Sequence, residues 1–235
     1  VARGHYASRA RARDAIGRGA VSIDGVVETR PARRIGESST ITIADDARTY
    51  VSRGALKLKH GLAHFAIDVA GKRCLDIGAS TGGFTQVLLE EGAAHVTAID
   101  VGHGQLVAEI AGDGRVTSIE GLNSRDLTAA YLPDPVAVVV CDVSFISLRL
   151  ALPAALRLAA PGAALVALIK PQFEAGREAL GKGGIVRDEA IHARVCDDVA
   201  TFLQASGWGV LGITASPVTG GGGNREFLIG ARKPQ

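Results

Sequence analysis

The sequence predicts an α/β fold: a mostly parallel sheet with helices on both faces, preceded by a small helix-and-sheet region. Three observations carry this. From residue 73 onward, short apolar runs alternate with helical segments, the pattern of repeated βα units. The run RCLDI (73–77) leads directly into GASTGGF (78–84), a glycine-rich turn before a helix. The last two strand-like segments are joined by SPVTGGGGN (216–224), which holds no helix, so the final strand is expected to pair antiparallel.

In chain order, SRARARDAIGRG (8–19) reads as a short helix, with Ser8 as its cap and Gly17 or Gly19 as its stop. Asp24-Gly25, between Val21-Ser22-Ile23 and Val26-Val27, is a hairpin signal. With STITIAD after it, residues 1–44 form a helix and a small sheet. That is too little to bury an independent core without help. The polar stretch DDARTYV (45–51) is expected to be a linker, and 52–235 the main domain. Ser52 is expected to cap a helix SRGALKLKHGLAHF, on which Arg53 and Lys57 share a face. Strands follow at 74–77, 95–100, 116–120, 136–143, 164–170, 209–215 and 227–231. Helices are expected after 82 through Glu91, at 105–111, at 148–160 and at 188–206. VAVVVCDV (136–143) is apolar throughout, as a strand buried on both faces should be.

The chain has 235 residues, 47% of them apolar and 21% charged, an ordinary globular composition. The net charge of +2 is unevenly spread: residues 1–34 hold eight Arg, no Lys and three acidic residues, whereas 51–235 hold 17 basic and 18 acidic. Such a basic excess is the footprint of a nucleic-acid contact or simply a solvated face. The three cysteines, Cys74, Cys141 and Cys196, are widely spaced and read as reduced packing residues; they do not cluster with the six His, so no metal site is expected. The longest apolar stretch, 151–169, is interrupted by Pro153, Arg157 and Pro161, so no membrane span is expected. No signal peptide is visible, and the absence of any Met implies that the natural beginning is missing.

In a doubly wound sheet, ligands bind outside the carboxyl ends of the strands. Gly78 can take a strained turn or let a ligand lie against the backbone. Gly82 and Gly83 open a helix, where free N–H groups face the ligand. Asp100 ends the next strand 22 residues after Gly78, where an acid accepts hydrogen bonds from ribose hydroxyls. A nucleoside-bearing cofactor fits. The dinucleotide register would read Gly78, Ser80, Gly83, and Ser80 replaces the middle glycine that a pyrophosphate needs. This favours S-adenosylmethionine, which has no phosphates, over a nicotinamide dinucleotide. Ser80, Phe84 and Asn123 are expected to complete the pocket, Asn123 near the adenine, though Asn123 also reads as a loop residue bonded to its own backbone.

Asp142 and Lys170 each terminate a buried strand, Lys57 lies on the helix before the first strand of the main domain, and Glu226 opens the last. They are either an ion-pair network or an active site at the strand ends. The set Lys57, Asp142, Lys170, Glu226 resembles the K-D-K-E tetrad of FtsJ-like ribose 2′-O-methyltransferases. VSRGALKL (51–58), CLDIGASTGGFTQVLL (74–89), AIDVGHGQL (98–106), DVSFISL (142–148), KPQFEAG (170–176) and GGIVRD (183–188) resemble the TlyA branch, also called hemolysin A, over essentially the whole chain. Residues 8–25 are similar to the small alpha-L RNA-binding domain, whose customary first helix is mostly absent, so this domain is expected to be truncated.

The resemblance implies a Rossmann-like, S-adenosylmethionine-dependent methyltransferase fold and methylation of ribosomal RNA at a ribose 2′-oxygen; the reduced cysteines lead to the expectation of a cytoplasmic protein. The resemblance also implies Lys170 as the base, Asp142 orienting Lys170 near the methyl donor, and Glu226 orienting Lys57. Lysine accepts a proton only when burial or a neighbouring cation disfavours its charge, and Lys57 could supply that cation. Arg3, Arg9, Arg11, Arg13 and Arg18 are expected to contact phosphates of ribosomal RNA or ribosomal subunits. Tyr6 and Tyr50 are the only aromatics near them. The loop 171–187 and the run Gly220–Gly223 could close over a target nucleotide flipped from its stack. A membrane-active hemolysin-like protein, a nicotinamide-dependent oxidoreductase and a non-catalytic RNA-binding module are the competing readings. They are opposed respectively by the lack of a span, by Ser80, and by the filled tetrad.

Overall fold

A computed structural model describes residues 1–6 and 8–235, which divide between Tyr50 and Val51 into two compact units. In the first, α1 (Arg9–Gly17) precedes a three-stranded antiparallel sheet in the order β2 (Val26–Val27), β1 (Val21–Ile23), β3 (Ile41–Ile43). Ser8 caps α1, its hydroxyl accepting from the Arg11 amide at 3.3 Å. Asp24 and Gly25 both have positive φ, 51° and 81°, the turn that matches the twist of a two-residue hairpin. Tyr6, Ala15, Val21 and Ile23 form the core of this unit.

The stretch expected to be a linker belongs to this unit through residue 50. A 3-10 turn spans Asp46–Thr49. Asp45 accepts hydrogen bonds from the Tyr6 hydroxyl (2.7 Å), the Arg18 guanidinium (3.0 Å) and the Ala47 amide (3.0 Å). The Arg11 guanidinium donates to the carbonyls of Ala47 and Tyr50.

The second unit contains, in chain order, α2 (Gly54–His64), β4 (Arg73–Ile77), α3 (Gly83–Glu90), β5 (His95–Asp100), α4 (Ala108–Ala111), β6 (Val116–Glu120), β7 (Val138–Cys141), α5 (Leu148–Ala151), α6 (Pro153–Leu158), β8 (Ala164–Ile169), α7 (Pro171–Glu174), α8 (Glu189–Ala205), β9 (Gly209–Ala215) and β10 (Phe227–Arg232). Its seven strands run in the order β6-β5-β4-β7-β8-β10-β9. All pairings are parallel except those of β10, which is antiparallel to both β8 and β9. All four residues of β7 and all six of β8 are buried, which is why their sequences are apolar throughout.

Strand order reverses between β4 and β7, and ligands bind at such a switch point, outside the carboxyl ends.

Several expected elements differ. α2 starts at Gly54, with Arg53 at its cap position and no side-chain cap bond, so Ser52 is not the cap. The helix expected at 105–111 covers only Ala108–Ala111. That expected at 148–160 breaks at Leu152, because Pro153 has no N–H to continue α5 and instead starts α6. Cys74, Cys141 and Cys196 are free and buried. Among the described residues no helix is long and apolar enough to cross a membrane, and no cluster of three or more His, Cys, Asp or Glu could hold a metal.

Candidate active site

A cleft of ≈ 1160 Å³ opens at the carboxyl ends of β4, β5 and β7. Gly78, Ser80, Asp100, Asn123 and Asp142 line it, and its far side is walled by Phe145, Phe173 and Leu180. Gly82, Gly83 and Phe84, also expected at the cofactor, are buried and do not line the cleft.

The glycines of the turn are required mainly by the protein itself. A Cβ on Gly78 (φ +82°) would come 2.5 Å from the Asp142 carbonyl oxygen, so this glycine lets the ends of β4 and β7 approach. A Cβ on Gly83 would overlap the Ser52 hydroxyl and stand 3.3 Å from the Ala55 amide, which closes α3 onto the start of α2. Gly83→Val is therefore expected to cost about 1–3 kcal/mol by overpacking. Thermal unfolding should register that loss. An unchanged melting temperature with weakened cofactor binding would return Gly83 to the ligand.

Asp100 organises the same turn. Its two carboxylate oxygens accept from the amides of Ser80 and Gly102, both at 2.8 Å. The Ser80 hydroxyl donates to Gln105 at 3.1 Å, and Ser80 holds a positive φ of 48°. Each Asp100 oxygen keeps a further acceptor position. Asn123 takes the alternative reading in part. Its side-chain oxygen accepts from the amide and guanidinium of Arg125, capping a short 3-10 turn at Ser124–Asp126. Asn123 also lines the cleft, and its amide NH₂ is a further donor.

Three charges at strand ends and Lys57 on α2 form two ion pairs. Lys57 Nζ lies 2.5 Å from Glu226 Oε2, with 7% and 2% of the two side chains exposed. Lys170 Nζ lies 2.5 Å from Asp142 Oδ1 and donates to the Ser144 hydroxyl at 2.9 Å. The sheet explains the convergence. Phe227 in β10 faces Ile169 in β8, so the residues just beyond them, Glu226 and Lys170, leave the sheet at the same edge. α2 also reaches this edge, since a Cβ on Gly54 would stand 3.7 Å from Asp142 Oδ2. Beneath the turn, Asp76 is fully buried and accepts from the Thr85 hydroxyl at 2.6 Å; burial, opposed by that hydrogen bond, pushes its carboxyl up to about 7.

Sequence reasoning missed Phe145. Its ring is 90% exposed, its φ is +66°, and it packs on Phe173 with centroids 5.0 Å apart. A left-handed aromatic residue costs about 1–3 kcal/mol and persists only where its surroundings enforce it. The signal was an aromatic in the short segment Asp142–Ser147 between a buried strand and the next helix. The loops 171–187 and 216–226 are also not independent flaps. Asn224, buried, accepts from the Val186 amide at 3.1 Å and donates to the Gly184 carbonyl at 3.2 Å.

On the first unit, Arg3 donates to carbonyls of residues 36, 37 and 39, while Arg11 and Arg18 bind the segment 45–50. Arg9 and Arg13 are exposed and four residues apart on α1. Tyr6 and Tyr50 are buried, so neither offers a stacking face.

Residues 50–233 match the family model of the FtsJ-like methyltransferases. The chain is 47% identical over 233 residues to the 16S/23S rRNA (cytidine-2′-O)-methyltransferase TlyA of Mycobacterium tuberculosis, covering 99% of this chain and 87% of that one. It is 41% identical over 226 residues to Hemolysin A of Brachyspira hyodysenteriae, covering 96% and 94%. A solved structure from Streptococcus thermophilus that also carries the hemolysin name superposes with a TM-score of 0.80 at 41% identity, covering 98% of this chain and 84% of that one.

Proposed function

Because the chain belongs to the FtsJ-like methyltransferase family, we propose that it transfers the methyl group of S-adenosylmethionine to a ribose 2′-oxygen of ribosomal RNA. The observation that carries this is the pair of ion pairs, Lys57–Glu226 and Asp142–Lys170, leaving one edge of the sheet beside the cleft. The relative from M. tuberculosis bears the same activity in its name, and the high identity over nearly the whole chain supports carrying it over.

The residues present fit the cofactor. Asp100 has acceptor positions left for ribose hydroxyls, and Ile99, Val101 and Leu122 supply an apolar wall for an adenine. When bound, S-adenosylmethionine supplies an electrophilic methyl carbon. The chain's own task is to orient the 2′-hydroxyl and take its proton. Lys170 is the base, acting in its neutral form. Asp142 and Ser144 fix its amine at the cleft. Glu226 holds Lys57 in turn. Alignment of the reacting atoms supplies much of the rate. Phe145 presents a ring face on which an unstacked base can lie.

The first unit reads as an RNA-binding domain of the alpha-L type, with Arg9 and Arg13 as phosphate contacts. Ribosomal subunits as substrate place the reaction in the cytoplasm.

The test is incubation of the protein with isotope-labelled S-adenosylmethionine and separated ribosomal subunits. Label is expected in RNA, at a nucleotide whose 3′ linkage resists alkaline cleavage because its 2′-oxygen is blocked. Label on a base, or none in RNA, overturns the proposal. Binding should also weaken steeply with salt, by roughly one counterion per phosphate neutralised. A flat salt response removes the arginines from the interface.

A further inference from the structure

The loop after β7 is held along its length by the segment that follows β8. Three residues of the segment 170–174 hold residues 142–148. Lys170 reaches Asp142 and Ser144. The Phe173 ring packs on Phe145. Glu174 closes the far end: one carboxylate oxygen accepts from the Ser147 hydroxyl at 2.5 Å and the other from the Leu148 amide at 2.7 Å. Between the two anchored ends, Phe145 sits in a left-handed conformation with its ring almost wholly in solvent.

We infer that Glu174 is a positioning residue, which caps α5 from outside and holds the 142–148 loop so that the Phe145 ring stays displayed at the cleft mouth. Left-handed backbone is disfavoured for an aromatic residue, and an exposed ring gains little burial to offset it. The loop would relax unless both ends were pinned. Lys170 pins the Asp142 end as part of the active site. At the other end, α5 is a single turn, and its first amides have no partner within the helix. Ser147 supplies one cap, donated to by the Arg149 amide at 3.2 Å, and Glu174 takes the Leu148 amide and orients the Ser147 hydroxyl. Burial pushes the Glu174 carboxyl above its ordinary value, so the contact is kept at a cost that surface solvation would have avoided.

The functional half of this rests on the methyl-transfer reading above. The experiment compares the unaltered protein with Glu174→Ala and Glu174→Gln at saturating S-adenosylmethionine and RNA, with cofactor affinity measured by calorimetry. Glu174→Ala should lose about 10–100-fold in turnover, the scale of losing one orienting contact, while cofactor affinity stays within about twofold. Glu174→Gln keeps an acceptor for Leu148 and a partner for Ser147 and should recover most of the loss. A Phe145→Trp reporter reads the loop directly. The chain's single tryptophan, Trp208, is buried, so the quencher-accessible emission belongs to the introduced indole. Its anisotropy should fall when Glu174→Ala is added. Full turnover in Glu174→Ala with unchanged anisotropy overturns the inference. So does a loss of turnover matched by an equal loss of cofactor affinity, which would mark a general structural role. If the unaltered protein transfers no methyl group, the functional reading fails, and the anisotropy still decides whether Glu174 orders the loop.

Discussion

Lys170→Ala should reduce methyl transfer by about 10²–10⁴-fold, the usual contribution of a positioned general base, and leave cofactor affinity nearly intact. The amine touches Asp142 and Ser144, whereas the glycine-rich turn is organised by Asp100. Calorimetry with S-adenosylmethionine and single-turnover kinetics separate the two quantities. Lys170→Arg is the informative companion. It retains the charge opposite Asp142 and cannot accept a proton, so it should be as inactive as the alanine variant. Near-normal turnover in either variant would remove Lys170 from the chemistry and leave Asp142 with a purely structural partner.

The second large effect is expected at the other ion pair. Lys57 and Glu226 come from positions 169 residues apart in sequence and are both almost fully buried. Removing one leaves the other charged and unpaired, which costs about 3–5 kcal/mol in comparable buried pairs. Glu226→Ala should therefore lower the denaturation midpoint strongly as well as abolish activity. The double variant Lys57→Met with Glu226→Leu distinguishes the two losses. Well-packed apolar replacements of a buried pair are often neutral for stability, so the midpoint should return while activity does not. If activity returned with stability, the pair would serve the fold alone.

How much of this was legible in the sequence depends on whether the deciding contact is local. The βα alternation and the charges at the ends of apolar strands are local signals, and they led to Asp142, Lys170 and Glu226 at one edge of the sheet. The split of the helix at Pro153 was equally visible in the sequence, and the expectation passed over it. The reason for the glycines was not visible. Gly83 is small because Ser52 lies against it, and Gly78 because the Asp142 carbonyl does; neither neighbour is near in sequence. The arginine-rich start shows the same limit. A charge count cannot see that Asp45, held in the polar stretch expected to be a linker, takes Arg18 for the interior of its own unit. Phe145 was hidden for the opposite reason, since nothing in its spacing marks the left-handed backbone that turns its ring outward.

The place of β10 in the sheet bears on how the protein is made. β9 is an edge strand paired with β10, and β10 is slotted between β9 and β8 although it comes later in the chain. During synthesis, residues 209–215 have no partner strand until 227–232 have emerged, and β8 keeps an open edge for as long. Glu226, which directly precedes β10, arrives at the same moment and only then meets Lys57. The nascent chain thus keeps the apolar edge of β8 bare and Lys57 without Glu226 until this segment has been translated.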